Sequence, residues 1–371
     1  MNARGKTSRW LGAAIFLASL SLVNGLAVGA EGGNSRDVLE QPARLSERAK
    51  SAVLTAVAVA GKRLVAVGER SIVLLSDDNG QSWRQAKSVP TSVALAGVRF
   101  VSENTGWAVG HSGVVLKTAD GGETWVRQLE GKLAATIELA AADAAANGSA
   151  APTRRQRDAQ GLVADGADKP FLDAFFFDQQ RGFVIGAYGL AFTTSDGGKT
   201  WSSLVGQIEN PKSRHLYNVA IADKDLLITG EQGILLRSVD GGQTFRSLAI
   251  NYPGTLFGSV VAEDGAIVVF GLRGNAFRST DQGKTWSKVD AGLPVTLTAG
   301  IRLRDGRLAI VDEAGRLLLS QDSGATFASV ANIKMNSATG LVEADDGALV
   351  ASTQRGVMRI APEALRMEQK K

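Results

Sequence analysis

The sequence predicts an all-β fold, a seven-bladed β-propeller, from three observations. A box of eight residues, such as TADGGETW at residues 118–125, occurs six times in the 371-residue chain. The aspartates of successive boxes are 42, 76, 44, 41 and 41 residues apart, a spacing typical of propeller repeats. Each repeat also contains four short apolar segments separated by turn residues, and four short strands make one blade.

The box itself is predicted to be a structural turn. Six copies cannot be six active sites, and a calcium loop needs more carboxylates than each copy offers. Serine or threonine and aspartate can accept hydrogen bonds from the turn, glycine allows a positive φ, and the final aromatic ring can pack between blades. The residues assigned to this structural role are Asp78, Asp120, Asp196, Asp240, Asp281, Asp322, Trp83, Trp125, Trp201 and Trp286.

A second recurring phrase precedes each box and indicates how the ring closes. In WAVGHSGVVLKT, residues 107–118, two apolar segments flank a tight Gly-x-x-Gly turn. Residues 339–361 repeat the first three strands of a blade but have no box after them. We therefore expect residues 37–43 to supply the missing fourth strand of blade 7, which would remove an exposed sheet edge.

The N-terminus is predicted to be a secretory signal, residues 1–30, leaving residues 31–371 as a single propeller domain in the periplasm or otherwise exported. Arg4, Lys6 and Arg9 precede an apolar run that ends in small residues, so we expect cleavage after Ala30. The alternative is an uncleaved anchor, because roughly 20 apolar residues can span a bilayer.

Charge and cysteine content exclude several classes of protein. Loss of three of the 41 basic residues with the signal lowers the net charge from +4 to 38 − 37 = +1, and basic residues are scattered among acidic ones. No nucleic-acid partner is expected, because phosphate binding requires a clustered basic face. Cysteine is absent, which excludes disulfides and thiolate metal sites, and two histidines are too few for a histidine metal site.

The interval of 76 residues between two boxes contains an insertion, residues 131–170, between blades 2 and 3. Its alanine-rich first half favours a helix, and its polar second half favours either a mobile segment or a second helix. A basic cluster, Arg154, Arg155 and Arg157, lies in the second half. A solvated loop and a partner-docking element are both compatible with this composition.

One rim of the propeller is the candidate binding surface. The turns between second and third strands share a rim with the connections between blades, opposite the boxes, and they carry both charge signs with a tyrosine and a histidine. The candidate residues on this rim, together with the three arginines of the insertion, are Glu69, Arg70, His111, Tyr188, Gln232, Arg273, Glu313 and Arg355.

Two stretches, RLVAVGERSIVLLSDDNGQSW at 63–83 and GWAVGHSGVVLKTADGGETW at 106–125, carry a family resemblance. The boxes resemble those of sialidase-type repeat proteins, and residues 37–361 more closely resemble the photosystem II stability and assembly factor family. The resemblance implies a seven-bladed propeller that helps to assemble a membrane complex without being an enzyme. Relatives outside photosynthesis resemble periplasmic companions of resistance-nodulation-division (RND) exporters, and the insertion sets this chain apart from the photosynthetic members.

Two classes of function follow. The first is a non-enzymatic periplasmic scaffold, monomeric by itself and without cofactor or metal, that binds a membrane protein complex such as an RND-type exporter. The alternative is a carbohydrate-binding or sialidase-like propeller. A glycan site would show stacking aromatic rings in a central cleft, and only Trp10 and Trp107 lie outside the boxes, so the tryptophan content favours the scaffold.

Overall fold

A computed structural model describes residues 37–148 and 151–365. It contains seven antiparallel sheets in chain order, and the innermost strand of each sheet contacts that of the next, with the first contacting the last. The predicted seven-bladed β-propeller is therefore confirmed. The predicted signal, residues 1–30, lies outside the described residues. No helix among residues 37–148 and 151–365 is long and apolar enough to cross a membrane.

Each blade is a meander whose first strand lies at the central channel. Blade 1 comprises β1 (Leu54–Ala60), β2 (Arg63–Gly68), β3 (Val73–Ser76) and β4 (Arg84–Gln85). Blade 2 comprises β5 (Leu95–Phe100), β6 (Gly106–Gly110), β7 (Val115–Thr118) and β8 (Val126–Leu129). Blade 3 comprises β9 (Phe171–Phe176), β10 (Gly182–Gly186), β11 (Ala191–Thr194) and β12 (Ser202–Ser203). Blades 4 and 5 comprise β13 (Leu216–Ala222), β14 (Asp225–Gly230), β15 (Leu235–Ser238) and β16 (Arg246–Ser247); β17 (Leu256–Val261), β18 (Ile267–Gly271), β19 (Ala276–Ser279) and β20 (Ser287–Val289). Blades 6 and 7 comprise β21 (Leu297–Arg302), β22 (Leu308–Asp312), β23 (Leu317–Ser320) and β24 (Ala328–Ser329); β25 (Ala338–Glu343), β26 (Leu349–Thr353) and β27 (Gly356–Ile360).

The core lies between the blades. Every residue of the second strands β6, β10, β14, β18, β22 and β26 is buried, because a neighbouring blade covers each face of the sheet. This explains why these segments are near-continuous apolar runs without a strict alternation. Between blades 1 and 2, for example, Val65 and Leu75 pack in one cluster with Leu116 and the box residue Trp125.

A bulge at the second residue of each first strand aims side chains at the next blade. In blade 1 the hydroxyl of Thr55 donates to the Leu95 carbonyl of blade 2 at 2.6 Å. Thr298 of blade 6 donates in the same way to Ala338 of blade 7 at 2.8 Å. Thr339 of blade 7 donates to the Leu54 carbonyl of blade 1 at 2.8 Å, so this recurring bond also closes the ring.

The prediction that residues 37–43 form the fourth strand of blade 7 is wrong. Blade 7 has three strands among the described residues, and residues 37–43 lie instead beside blades 1 and 2. There the Val38 carbonyl accepts from the Ser92 N–H at 2.8 Å, and the buried side chain of Leu39 joins the core. The reason is hydrophobic: Leu39 is covered by the cluster between blades 1 and 2.

The N-terminal segment nevertheless joins the two ends of the ring, as the connector between blade 7 and blade 1. A short 3-10 helix, Glu47–Ser51, contacts β27, and the Gly356 N–H donates to the Ala52 carbonyl at 2.9 Å. A Cβ at Gly356 would lie 2.1 Å from the Lys50 carbonyl oxygen. In blade 6 a Cβ at Gly315 would similarly lie 1.9 Å from the Met335 carbonyl oxygen, so Lys50 occupies the place of an ordinary interblade connector.

The insertion is helical, as its composition indicates. Helix α1 (Gly131–Ala145) begins where the Glu130 carboxylate accepts from two N–H groups of the first turn, and helix α2 (Arg154–Asp165) begins with a capping box between Thr153 and Gln156. The helices pack against each other, and Ala134, Ile137 and Leu162 cover Phe171 and Leu190 of blade 3. The solvated-loop alternative is therefore wrong for the described part, because these apolar side chains find a surface to bury.

Substitution of Gly356 by alanine tests the connector. Gly356 has a φ of 85° and Gly347 a φ of 82°, but a Cβ at Gly347 would come no closer than 3.8 Å to Pro362. Gly347→Ala should lower the free energy of unfolding by about 1–2 kcal/mol through its backbone conformation alone. Gly356→Ala should cost about 2 kcal/mol more, because the connector must also move. Urea denaturation measures both, and equal losses would contradict the connector assignment.

Candidate functional site

The rim opposite the boxes is formed by the turns between second and third strands and by the interblade connectors. The turns are bonded to the connectors: the N–H groups of Glu69, Ala187 and Glu313 donate to carbonyls immediately before the first strands of their own blades, at 2.9–3.0 Å. Because each turn is fixed in this way, side chains on the turns occupy defined positions around the rim.

Five of these turns place a non-glycine residue in the left-handed region. The residues, which we call the turn ring, have φ values between 52° and 57° and are Arg70, Ser112, Tyr188, Gln232 and Arg273. All except Ser112 are exposed. A left-handed conformation is costly for side chains larger than glycine and is often found at functional sites. The structure thus gives four of the candidate rim residues, Arg70, Tyr188, Gln232 and Arg273, equivalent outward positions.

The other candidate rim residues divide into two groups. His111 and Arg355 are exposed on turns of blades 2 and 7. The carboxylates of Glu69 and Glu313 instead accept hydrogen bonds from the backbone of their own blades, from Val53 N at 3.1 Å and Thr296 N at 3.2 Å. These two carboxylates therefore stabilise the turns of blades 1 and 6, and the turn of blade 1 carries Arg70 of the ring.

A row of aromatic side chains leads from this rim into the channel, and the sequence patterns did not reveal it. The ring of Tyr188 lies 5.0 Å from that of His215, which lies 6.3 Å from Tyr217, which lies 5.2 Å from Phe257. Tyr188 is 53% exposed, whereas burial, followed by the charge of Glu231, raises the pKa of Tyr217. We call these four residues the aromatic row. A signal was available, since Tyr217 and Phe257 occupy the bulge positions held by threonine in blades 1, 6 and 7.

The channel beyond the row has a volume of about 380 Å³ and is lined by first strands. Its charged pair is Arg99 and Asp173, joined by two hydrogen bonds of 3.2 and 2.9 Å. Asp173 also accepts from Asn218 Nδ2 at 3.1 Å and from the Val219 N–H at 2.9 Å. The Asp173 charge raises the pKa of Arg99. The pair links blades 2, 3 and 4, and its charges are matched within the protein.

The arginines of the insertion do not act as one cluster. Arg155 forms bonds of 2.7 and 3.0 Å with Glu138, whose side chain is 3% exposed, and Glu138 also accepts a bond from Ser203 of β12. The expectation that Arg155 meets a partner is therefore wrong, because it neutralises a buried carboxylate and fixes the helices to blade 3. Arg154 and Arg157 are exposed.

The boxes form the same structural turn in their blades. In blade 3, Asp196 accepts from the Thr200 hydroxyl at 2.6 Å, the Thr200 N–H at 2.9 Å and the Thr194 hydroxyl at 2.9 Å. These bonds, led by that of the Thr200 hydroxyl, lower the pKa of Asp196 to about 2. Trp201 donates its indole N–H to the Gly198 carbonyl at 3.1 Å and packs against blade 2. The carboxylates are used within the turn.

Within residues 37–148 and 151–365, no three histidine or carboxylate side chains are grouped closely enough to hold a metal ion. What the rim offers instead is a set of outward polar side chains beside an aromatic row and a helical insertion. The fold and its boxes thus define the chain as a seven-bladed propeller of the Asp-box type.

Comparison with known proteins shows which propeller proteins this chain is similar to. Residues 160–308, fewer than half of the chain, match the family described as Photosynthesis system II assembly factor YCF48. The chain is also 29% identical over 80 residues to the Photosystem II assembly lipoprotein Ycf48 of Synechococcus sp. (strain CC9902). That match spans 22% of this chain and about a quarter, 24%, of the relative's length.

Solved structures of YCF48 share the fold. The structure of YCF48 bound to D1 peptide superposes with a TM-score of 0.62 at 16% identity, over 86% of this chain and 96% of that one. YCF48 from Cyanidioschyzon merolae gives a TM-score of 0.59 at 14% identity, over 87% and 99% of the two chains. These findings agree with the resemblance to the photosystem II stability and assembly factor family drawn from the sequence, and they do not include an exporter companion.

The boxed aspartates should make the stability of the protein depend on pH in the acidic range. The pKa of Asp281 is lowered from 3.8 to about 2, mainly by the hydroxyl of Thr285, so its stabilising effect is complete above its unfolded pKa and is lost as pH falls toward 2. Asp281→Asn should lower the melting temperature at neutral pH and reduce its change between about pH 5 and pH 2.5. The exposed Asp345, in the turn between β25 and β26, is the control: Asp345→Asn should retain the full acid dependence. An unchanged acid dependence in Asp281→Asn would contradict this role.

Loss of Arg155 should destabilise the protein far more than loss of its neighbour. Arg155→Ala leaves the buried Glu138 carboxylate unpaired, a change that typically costs about 3–5 kcal/mol. Arg154, whose side chain is 63% exposed, forms a surface pair with Asp158 at 3.5 Å, and Arg154→Ala should cost less than about 1 kcal/mol. Chemical denaturation of both variants distinguishes them, and similar small losses would show that the insertion is not fixed through Arg155.

Proposed function

We propose that the protein is a non-enzymatic, exported scaffold that binds a segment of a membrane protein complex through the turn ring and the aromatic row. The observation that carries the proposal is the ring of left-handed turn residues on one rim, whose side chains point outward at equivalent positions. Packing between blades does not require large side chains at left-handed turn positions, where glycine is the least strained residue. Strained backbone conformations of this kind cluster at ligand-binding sites.

The chemistry of the rim supports a polypeptide partner. Arg70, Gln232 and Arg273 supply hydrogen-bond donors, and Tyr188 supplies an amphipathic ring, a combination that is enriched at protein interfaces. One of the similar structures is of YCF48 bound to D1 peptide, so that propeller binds a segment of another polypeptide. We propose the same class of partner here, a membrane protein, and leave an RND-type exporter as an expectation that the comparisons do not support.

A second candidate is a carbohydrate-binding propeller. The aromatic row favours this candidate, because sugar rings stack on exposed aromatic faces. From the sequence, a glycan site was expected to show such rings at a central cleft, and the row lies beside the channel. Binding of oligosaccharides that is lost in Tyr188→Ala would support this candidate, and a glycan array with both proteins is the measurement.

Site-specific photocrosslinking in the native membrane tests the scaffold. A benzoylphenylalanine at the exposed Gln232 of the turn ring should give a covalent adduct with a membrane protein, identified by mass spectrometry. The matched control is the same residue at Lys284, which is exposed in a box on the opposite rim. Tyr188→Ala should reduce the Gln232 adduct about tenfold, as removal of an interface aromatic typically does. Equal adducts at Gln232 and Lys284, or adducts at Lys284 alone, would refute this binding face.

A further inference from the structure

Blade 7 differs from the other blades in its outer edge. In blades 1, 4 and 6 a backbone N–H beyond the third strand donates to that strand: Ala86 to Val73, Leu248 to Leu235 and Val330 to Leu317, at 2.8–2.9 Å. Val357 of β27 pairs with Ser352 of β26, just as Leu317 of β23 pairs with Val311 of β22. Val357 and Leu317 therefore occupy equivalent positions in their blades. Among residues 37–148 and 151–365, no backbone N–H donates to the Val357 carbonyl.

The unpaired groups form a short, ordered edge. Arg359 lies two residues after Val357, so the N–H and C=O groups of both point to the same side of β27, away from β26. The side chain of Arg359 donates to the Asn79 carbonyl of blade 1 at 3.0 Å and to Asp346 at 2.5 Å, which holds the strand in place. We call the outward backbone of Val357–Arg359 the blade 7 edge. An open edge of this kind is a template for another strand.

Residues 37–46 are bonded elsewhere and do not pair with this edge, although the 3-10 helix Glu47–Ser51 contacts β27 nearby. The Val38 carbonyl and the Ala43 N–H are bonded to Ser92 and Val89 in the connector after blade 1. The Ser46 N–H donates to Gln85 in the outer strand of blade 1, at 3.0 Å. The strand that completes blade 7 therefore does not come from residues 37–46.

The charge beside the blade 7 edge indicates what would bind. Arg48, Lys50 and Arg355 are exposed, with no ion pair to another described residue, and the exposed acidic side chains on the flanking short helices are Glu47 and Glu363. Residues 366–371, RMEQKK, carry three basic side chains and one acidic side chain, so their net charge has the same sign as the charges of Arg48, Lys50 and Arg355. An acidic segment would be attracted to them.

We propose that an extended, acidic segment of a partner polypeptide adds to the blade 7 edge as the fourth antiparallel strand of the blade. The backbone groups of Val357 and Arg359 would form the ladder, as in other cases of strand addition, and the three basic side chains would select for acidic residues. This inference rests on the proposed scaffold function and assigns the partner's chemistry. It uses a surface distinct from the turn ring.

Fluorescence anisotropy with a labelled acidic heptapeptide, EVTVEVE, tests the proposal on the purified full chain. Arg359→Pro removes the outward N–H without removing a bond to β26, whereas Arg359→Ala removes the side chain and keeps the N–H. We expect Arg359→Pro to weaken peptide binding about tenfold and Arg359→Ala to weaken it less than about threefold. Circular dichroism and melting temperature establish that both variants are folded.

A second measurement needs no change in the backbone of the protein. The probe is N-methylated at alternate amides, in two versions that block opposite edges of the peptide strand, and only one version should lose binding.

The double charge reversal Lys50→Glu and Arg355→Glu should weaken binding of the acidic probe and strengthen binding of its basic counterpart, KVTVKVK, and the effect should decrease at high salt.

Several results would overturn the proposal. They are equal binding to Arg359→Pro and Arg359→Ala, equal loss with both methylated probes, equal binding of the acidic and basic probes, and no binding to the full chain. Binding that appears only after removal of residues 366–371 would also overturn it, because this part of the chain would then occupy the edge. Failure of the peptide leaves the crosslink at Gln232 unaffected, so the two proposals fail separately.

Discussion

The contact between blade 7 and blade 1 is the constraint on which the rest of the structure depends. A blade buries both of its faces only when it has a neighbour on each side, so seven blades are stable as a closed ring. The closing bonds, Thr339 to Leu54 and Gly356 to Ala52, join residues roughly 300 positions apart in sequence, and the chain has no cysteine to replace them. Closure through a connector and inner strands, without a complete seventh blade, leaves the blade 7 edge unpaired by described residues.

The two rims of the closed ring differ in what their side chains do. Side chains on the box rim are bonded within the turns, whereas those on the opposite rim are largely exposed. On the box rim, the carboxylate, hydroxyl and indole groups of each box bond to one another, as Asp196, Thr200 and Trp201 show. On the opposite rim, backbone hydrogen bonds fix the turns, and the side chains of Arg70, Tyr188 and Gln232 remain exposed. The repeat therefore keeps one rim nearly constant while the other varies from blade to blade.

The insertion extends this second rim as a rigid element. Its helices bury apolar side chains on blade 3 and neutralise Glu138 with Arg155, leaving a void of only about 10 Å³ at the junction. Lys169, at its end, lies 5.1 Å from the ring of Tyr188 and is paired with Asp165 and Asp168. The insertion thus helps to position the aromatic row as well as enlarging the surface.

The sequence by itself determined the architecture, because each box and Gly-x-x-Gly turn specifies its local geometry through bonds within a few residues. Asp281 needs only Ser279 and Thr285 to form its turn, and the repeat spacing then predicts the ring. Only the tertiary structure decided where Leu39 lies, that Arg155 faces a buried carboxylate, and that Tyr188, His215, Tyr217 and Phe257 form one row. Those outcomes depend on which surfaces meet between blades, and contacts between residues distant in sequence leave no periodic pattern along the chain.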